Sequence, residues 1–309
     1  MSFVKKYAPL FAKGIGMGAA DVVPGVSGGT IAFITGIYEK LIRSLKSFPA
    51  ALIILVRTRN FRYFFNKVNG EFLLSVFAGI GIGIISLASI VKYFLNEHPV
   101  QLNGFFFGLI AASAVVIGKE ITLLKTKSII ALLVGTGITY YISIAAPSST
   151  PDSLWFIFLS GTIAISAMIL PGISGSFILL LMGKYQTIIE ALSNLEIQIL
   201  LVFIGGCVIG LFTFAQFLSV LFKNHKNATM SLLTGFLVGS LAKVWPWKKV
   251  LETRINSKGM EVPLIEENIL PVYFLGDPQI ILTSLLAIAG TAVVLILHRS
   301  NSMKQKNDR

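Results

Sequence analysis

The sequence predicts an all-α polytopic membrane protein built from two inverted-topology repeats, each a re-entrant helical hairpin plus three transmembrane helices. Three observations predict this. Of 309 residues, 54% are hydrophobic and only 13% charged, an apolar surplus that no soluble domain of this size needs. Six apolar runs approach the roughly 20 residues that cross a bilayer. A short polar, helix-breaking stretch also occurs twice: Pro24-Gly25-Val26-Ser27-Gly28-Gly29-Thr30 and Pro171-Gly172-Ile173-Ser174-Gly175-Ser176-Phe177. The match extends through Ile31/Ile178, Gly36/Gly183, Tyr38/Tyr185 and Ile42/Ile189, so eight of nineteen positions are identical without a gap.

The six predicted spans lie at about 72–95, 100–118, 128–146, 197–222, 228–247 and 279–298. Two more apolar regions, about 7–38 and 153–190, are broken in the middle by the repeated stretch. Each reads as two short helices around a non-helical turn, entering and leaving on one side. The loops test this assignment. With a cytoplasmic N-terminus, the segments 39–71 and 119–127, Lys223, Lys226 and the C-terminal tail all lie inside. The neutral-to-acidic segments 147–152 and 248–278 lie outside. This places 19 of 26 Lys and Arg in the cytoplasm and 9 of 14 Asp and Glu outside, as the positive-inside rule requires. Making either hairpin a full span scrambles the segregation.

One hairpin and three spans per half make an odd number of crossings. The second repeat (148–309) is therefore upside down relative to the first (1–147). Glycines echo this order: Gly79 and Gly83 match Gly206 and Gly210, and Gly104 and Gly108 match Gly235 and Gly239. Small residues four apart let helices approach closely. The basic, aromatic region 43–70 reads as an amphipathic segment on the cytoplasmic surface. Trp245 and Trp247 mark the outer interface, and 248–278 forms a small external flap.

The net charge of +12 follows this membrane orientation, and no nucleic-acid partner is expected. The single cysteine, Cys207, lies in an apolar run. His98, His225 and His298 are far apart at segment ends. No metal site, disulfide framework, cofactor or His-based catalytic cluster is expected. The N-terminus is basic, but Lys13 interrupts its apolar run and no cleavage site follows, so no signal peptide is expected.

The repeated stretch carries the chemistry. Pro24 and Gly25, like Pro171 and Gly172, stop the incoming helix. Ser27 and Ser174 are N-caps for the outgoing one. Gly28, Gly29, Gly175 and Ser176 leave first-turn amides uncovered, an arrangement suited to an anion. With Ser27, Thr30, Ser174 and Ser176, two such turns meeting at mid-bilayer can hold a phosphate, a carboxylate or a halide. Asp21 breaks the symmetry, its counterpart being Met168. A carboxylate at that depth points to coupling by a proton or Na⁺, or to capping of nearby amides. Glu39, matching Gln186, is a gate residue or a solvated interface charge. Lys13, Lys40, Arg43, Lys184, Lys92 and Lys243 can steer an anionic headgroup or snorkel to the interface.

The stretch Gly18-Ala-Ala-Asp21-Val-Val-Pro-Gly-Val-Ser-Gly-Gly-Thr-Ile-Ala-Phe-Ile-Thr-Gly-Ile-Tyr-Glu39, with Met168-Ile-Leu-Pro-Gly-Ile-Ser-Gly-Ser-Phe-Ile-Leu-Leu-Leu-Met-Gly-Lys-Tyr185, resembles the bacterial polyprenyl-phosphate transporters, long grouped as a domain of unknown function. The resemblance covers nearly the whole chain. It implies a transporter in the bacterial cytoplasmic membrane, not an enzyme. Its substrate is undecaprenyl or another polyprenyl phosphate, returned from the outer to the inner leaflet for cell-wall synthesis. The two turns would hold the phosphate while the prenyl tail stays among membrane lipids. The other readings are a small-anion transporter or channel, and an intramembrane lipid phosphatase. The phosphatase wants a nucleophile with an adjacent base or a metal, and no His lies near either stretch.

Overall fold

Apolar segments of membrane length become helices because a helix satisfies its own backbone donors and acceptors in lipid. In the computed structural model, which describes residues 3–23, 25–119, 121, 125–148, 150–255 and 261–307, the chain is mostly helical. It runs through α1 (Phe3–Asp21), α2 (Gly28–Ile34), α3 (Tyr38–Thr58), α4 (Phe61–Lys67), α5 (Gly70–Glu97), α6 (Pro99–Lys119) and α7 (Thr126–Ile144). It continues through α8 (Leu154–Ile169), α9 (Gly175–Leu181), α10 (Tyr185–Ser193), α11 (Ile197–Asn224), α12 (Lys226–Ser240) and α13 (Ile280–Asn307). Among the described residues five helices, α5, α6, α7, α11 and α13, are long and apolar enough to cross a membrane. This is a multi-pass membrane protein. Ile85, Leu133, Leu201 and Ile281 on four of these helices are exposed, as lipid-facing side chains are.

Two expectations are corrected. The predicted span 228–247 is a 15-residue helix, α12, followed by a tight turn through Lys243. Pro246 bars helical geometry at the preceding residue and offers no amide, so the helix cannot reach the predicted limit of 247. The protein is also not all-α. Strands β1 (Lys248–Ile255) and β2 (Glu261–Asn268) pair antiparallel in the segment expected to be a flap. Such a ribbon is marginal alone, but here it is tied to the body. Trp245 donates to Ile269 O at 2.8 Å, Trp247 to Pro278 O at 2.8 Å and Asn268 to Ala242 O at 2.8 Å.

Helices pair through glycine. Gly14 and Gly79 face each other's backbone between α1 and α5, as Gly161 and Gly206 do between α8 and α11. Gly108 and Gly290 join α6 to α13, and Gly135 and Gly235 join α7 to α12. A side chain at any of these positions would strike a facing backbone atom. The pairing α1–α5 thus has its like in α8–α11, and α6–α13 in α12–α7. Helix α6 is the most buried of the five long helices. It and α12 supply Ile110, Leu233 and Leu237 to a core shared with Val23, Val26, Ala32 and Phe33. The first polar turn is therefore set inside the core.

Candidate functional site

The two turns are built alike. Gly25 and Gly172 take φ of +87° and +82°, and Gly36 and Gly183 take +70° and +64°. These left-handed values favour glycine, which explains the recurrence of these residues in both copies. In the second copy Leu170, just before Pro171, is extended (ψ 135°) and ends α8, as a pre-proline residue must. Pro24 lies outside the described residues.

The two turns touch. Ser27 Oγ donates to Met168 O at 2.9 Å. Gly172 N donates to Thr30 Oγ1 at 2.9 Å. Gly29 lies so close to Ile169 O that a Cβ there would come within 2.5 Å of it. Ser27, Thr30 and Ser174 are buried, at 1%, 0% and 6% exposure. Ser27, Thr30 and Gly172 thus link one turn to the other.

Their helix starts are capped differently. Ser27 Oγ accepts from Gly29 N at 3.0 Å, and Asp21 Oδ1 accepts from Gly28 N at 2.7 Å. Ser174 caps no amide, and its Oγ lies 3.0 Å from Ser176 Oγ. Asp21 therefore places a carboxyl oxygen on an amide of the first turn. Its counterpart Met168 offers only a backbone carbonyl, which Ser27 takes.

The other predicted residues lie around this centre. Lys13 Nζ donates to Thr35 O at 2.7 Å, beyond the end of α2. Lys13 also lines a cavity of about 460 Å³ with Tyr7, Lys40, Asn66, Asn69 and Glu71. Glu39 pairs with Lys226 at 2.9 Å on the surface, and Arg43 Nε donates to Glu39 O at 3.3 Å. Lys184, almost fully buried, donates to Asp152 at 2.5 Å and Thr150 O at 2.8 Å. None of these contacts involves either turn.

Lys243, expected to steer an anionic headgroup or to snorkel at the outer end of a span, lies beside the first turn. Its side chain lies against Gly25, and its ammonium sits 4.3 Å above the Phe177 ring. Its Nζ is 3.6 Å from Glu266 Oε2, and Lys248 Nζ is 3.2 Å from the same oxygen. Burial opposes ionisation of Glu266, but Lys248 and Lys243 outweigh it and hold the carboxyl below its usual range. Sequence alone misses this cluster because a lysine beside tryptophans at a span end looks like an interface anchor. The partner Glu266 arrives on a strand that was not predicted.

The chain matches the family model described as undecaprenyl phosphate translocase-like over residues 17–262. It is 42% identical over 297 residues to a polyprenyl-phosphate transporter of Vibrio cholerae, covering 95% of this chain and 96% of the relative. It is 33% identical over 252 residues to a polyprenyl-phosphate transporter of Staphylococcus aureus, covering 76% and 84%. No solved structure matches it. The family match takes in both turns, Asp21 and Lys243, and the chain belongs to the undecaprenyl phosphate translocase-like family.

Proposed function

We propose that the protein is a transporter, not an enzyme, that returns undecaprenyl or another polyprenyl phosphate from the outer to the inner leaflet of the bacterial cytoplasmic membrane. The names of both relatives support the substrate class. The observation that carries the reading is the buried junction of the two turns, cross-linked by Ser27 to Met168 and by Gly172 to Thr30. The phosphate is held there by Ser27, Gly28, Gly29, Thr30, Ser174, Gly175 and Ser176, and the prenyl tail stays in lipid. Residues 1–147 and 148–309 act as inverted repeats with both termini cytoplasmic, rocking around the junction. The recurrence of the helix pairs supports that division. The hairpins carrying the turns re-enter from opposite faces.

Asp21 supplies the coupling. Its carboxylate already sits on Gly28 N, and two anions cannot share one amide in a buried site. Arrival of a phosphate therefore displaces Asp21, which takes up H⁺ or Na⁺ as it leaves. Lys13, on the wall of the cavity beside α5, steers the headgroup on the cytoplasmic side, and the Glu39–Lys226 pair is the gate there.

The test is leaflet accessibility of undecaprenyl phosphate in proteoliposomes, with wild type and Asp21→Asn. The expected result is faster equilibration with wild type and loss of a gradient response in the variant. No acceleration under a proton or Na⁺ gradient would overturn lipid translocation and leave a small-anion pathway, to be measured as ion flux.

A further inference from the structure

We propose that Lys243 is the cation that neutralises the phosphate at the junction, and that Glu266 on the β-hairpin holds Lys243 in its place until the headgroup arrives. This rests on the transport reading above and adds to it a binding residue and a carboxylate that holds it in reserve.

Lys243 is a single side chain that touches both copies of the repeated stretch. Its stem lies on Gly25 of the first turn, and its ammonium lies over Phe177, which follows the second. The contact needs glycine, since a Cβ at position 25 would come within 2.5 Å of Lys243 Cγ. Lys13 is bonded to Thr35, Arg43 to Glu39 and Lys184 to Asp152.

Charge makes the second argument. The hydroxyls and amides of the turns carry no formal charge, whereas a phosphate monoester brings about −1.5 to −2 at neutral pH. A buried anion without a cation is strongly disfavoured. Lys243, Lys248 and Glu266 form a mostly buried cluster, with side-chain exposures of 19%, 12% and 25%. Two cations share one carboxylate, leaving a surplus of one positive charge beside the turns. When Glu266 withdraws, the surplus becomes two and matches a dianionic monoester. Lys248 stays in place because it also donates to Lys243 O at 2.8 Å. Glu266 is the movable partner: its strand stays tied to the body, but its side chain is the most exposed of the three and can swing away from the lysines.

The test is thermal unfolding of the full-length protein in detergent, titrated with farnesyl phosphate, farnesol and inorganic phosphate. Wild type is expected to be stabilised by farnesyl phosphate and not by farnesol. Lys243→Gln should weaken that binding about tenfold or more, as loss of a charged hydrogen-bond partner does, and Lys243→Arg should recover most of it. Glu266→Gln should tighten binding severalfold, because the internal competitor is gone. A clip that merely held the hairpin would do the opposite, with Glu266→Gln weakening binding as Lys243→Gln does. That result would overturn the proposal, as would wild-type binding by Lys243→Gln. If Lys243→Gln does not fold, the sign of the Glu266→Gln effect decides alone. Equal stabilisation by inorganic phosphate would overturn a lipid headgroup as the occupant. Absence of both binding and lipid transport in wild type would bring down the transport reading itself. Binding by wild type that Lys243→Gln leaves intact would bring down only the role of Lys243.

Discussion

At the scale of single residues, the repeated stretch is chemically less symmetric than it looks. Thr30 is fully buried and accepts from Gly172 N, while its counterpart Phe177 supports Lys243. Thr30→Val keeps the shape and removes the acceptor, leaving a buried amide unpaired. The expected cost is about 1–3 kcal/mol, read as a lower unfolding midpoint. Ser27 both donates to Met168 O and accepts from Gly29 N. Among the described residues, the Ser174 hydroxyl meets the Ser176 hydroxyl alone. Ser27→Ala should therefore destabilise by about 1–2 kcal/mol, and Ser174→Ala by distinctly less. Equal losses would mean that the junction is not held as described. The turns themselves were legible because Pro, Gly and Ser have local requirements that a sequence displays. Lys243 and Glu266 were not, because their pairing depends on a strand brought back to a helix end.

At the scale of elements, glycine position decides how helices meet. Gly83 on α5 faces the backbone of Ile15 on α1, while Gly81, two residues earlier, has open space around it. Gly83→Ala should push α1 and α5 apart, costing about 1–3 kcal/mol by overpacking. Gly81→Ala should be neutral, or stabilising by up to about 1 kcal/mol through helix propensity. Thermal unfolding of the two variants in one detergent checks this, and a reversed order would contradict the α1–α5 contact. Four long helices begin and end within about two residues of the predicted limits, because apolar length is a direct reading of bilayer thickness. The fifth, α13, starts as predicted but runs on to Asn307, where polar residues conceal the continuing helix. α12 fell short because Pro246 acts locally within an otherwise apolar run. The β-hairpin escaped because Lys248–Asn268 reads first as a charged loop. Its alternating Leu251, Thr253 and Ile255, and Val262 and Leu264, are a weak signal once interrupted by Pro263.

At the scale of the molecule, alternating access by two rocking halves requires contacts between them to break during each cycle. Glu39 near the start of α3 and Lys226 at the start of α12 meet at 2.9 Å, and both are substantially exposed. One belongs to residues 1–147 and the other to 148–309. An exposed pair contributes only about 0.2–1 kcal/mol, so replacing it leaves the fold intact and the gate free. Cysteines in both positions (Glu39→Cys with Lys226→Cys, and Cys207→Ala to remove the half-buried native thiol) can be joined by a short cleavable linker. Joining them should stop lipid transport in proteoliposomes, and cleaving the linker should restore it. Either single cysteine should transport before and after treatment. Full transport by the linked protein would mean that the halves do not part at this point. The phosphate would then have to cross by movement of the two hairpins alone, past a scaffold of paired helices that stays still.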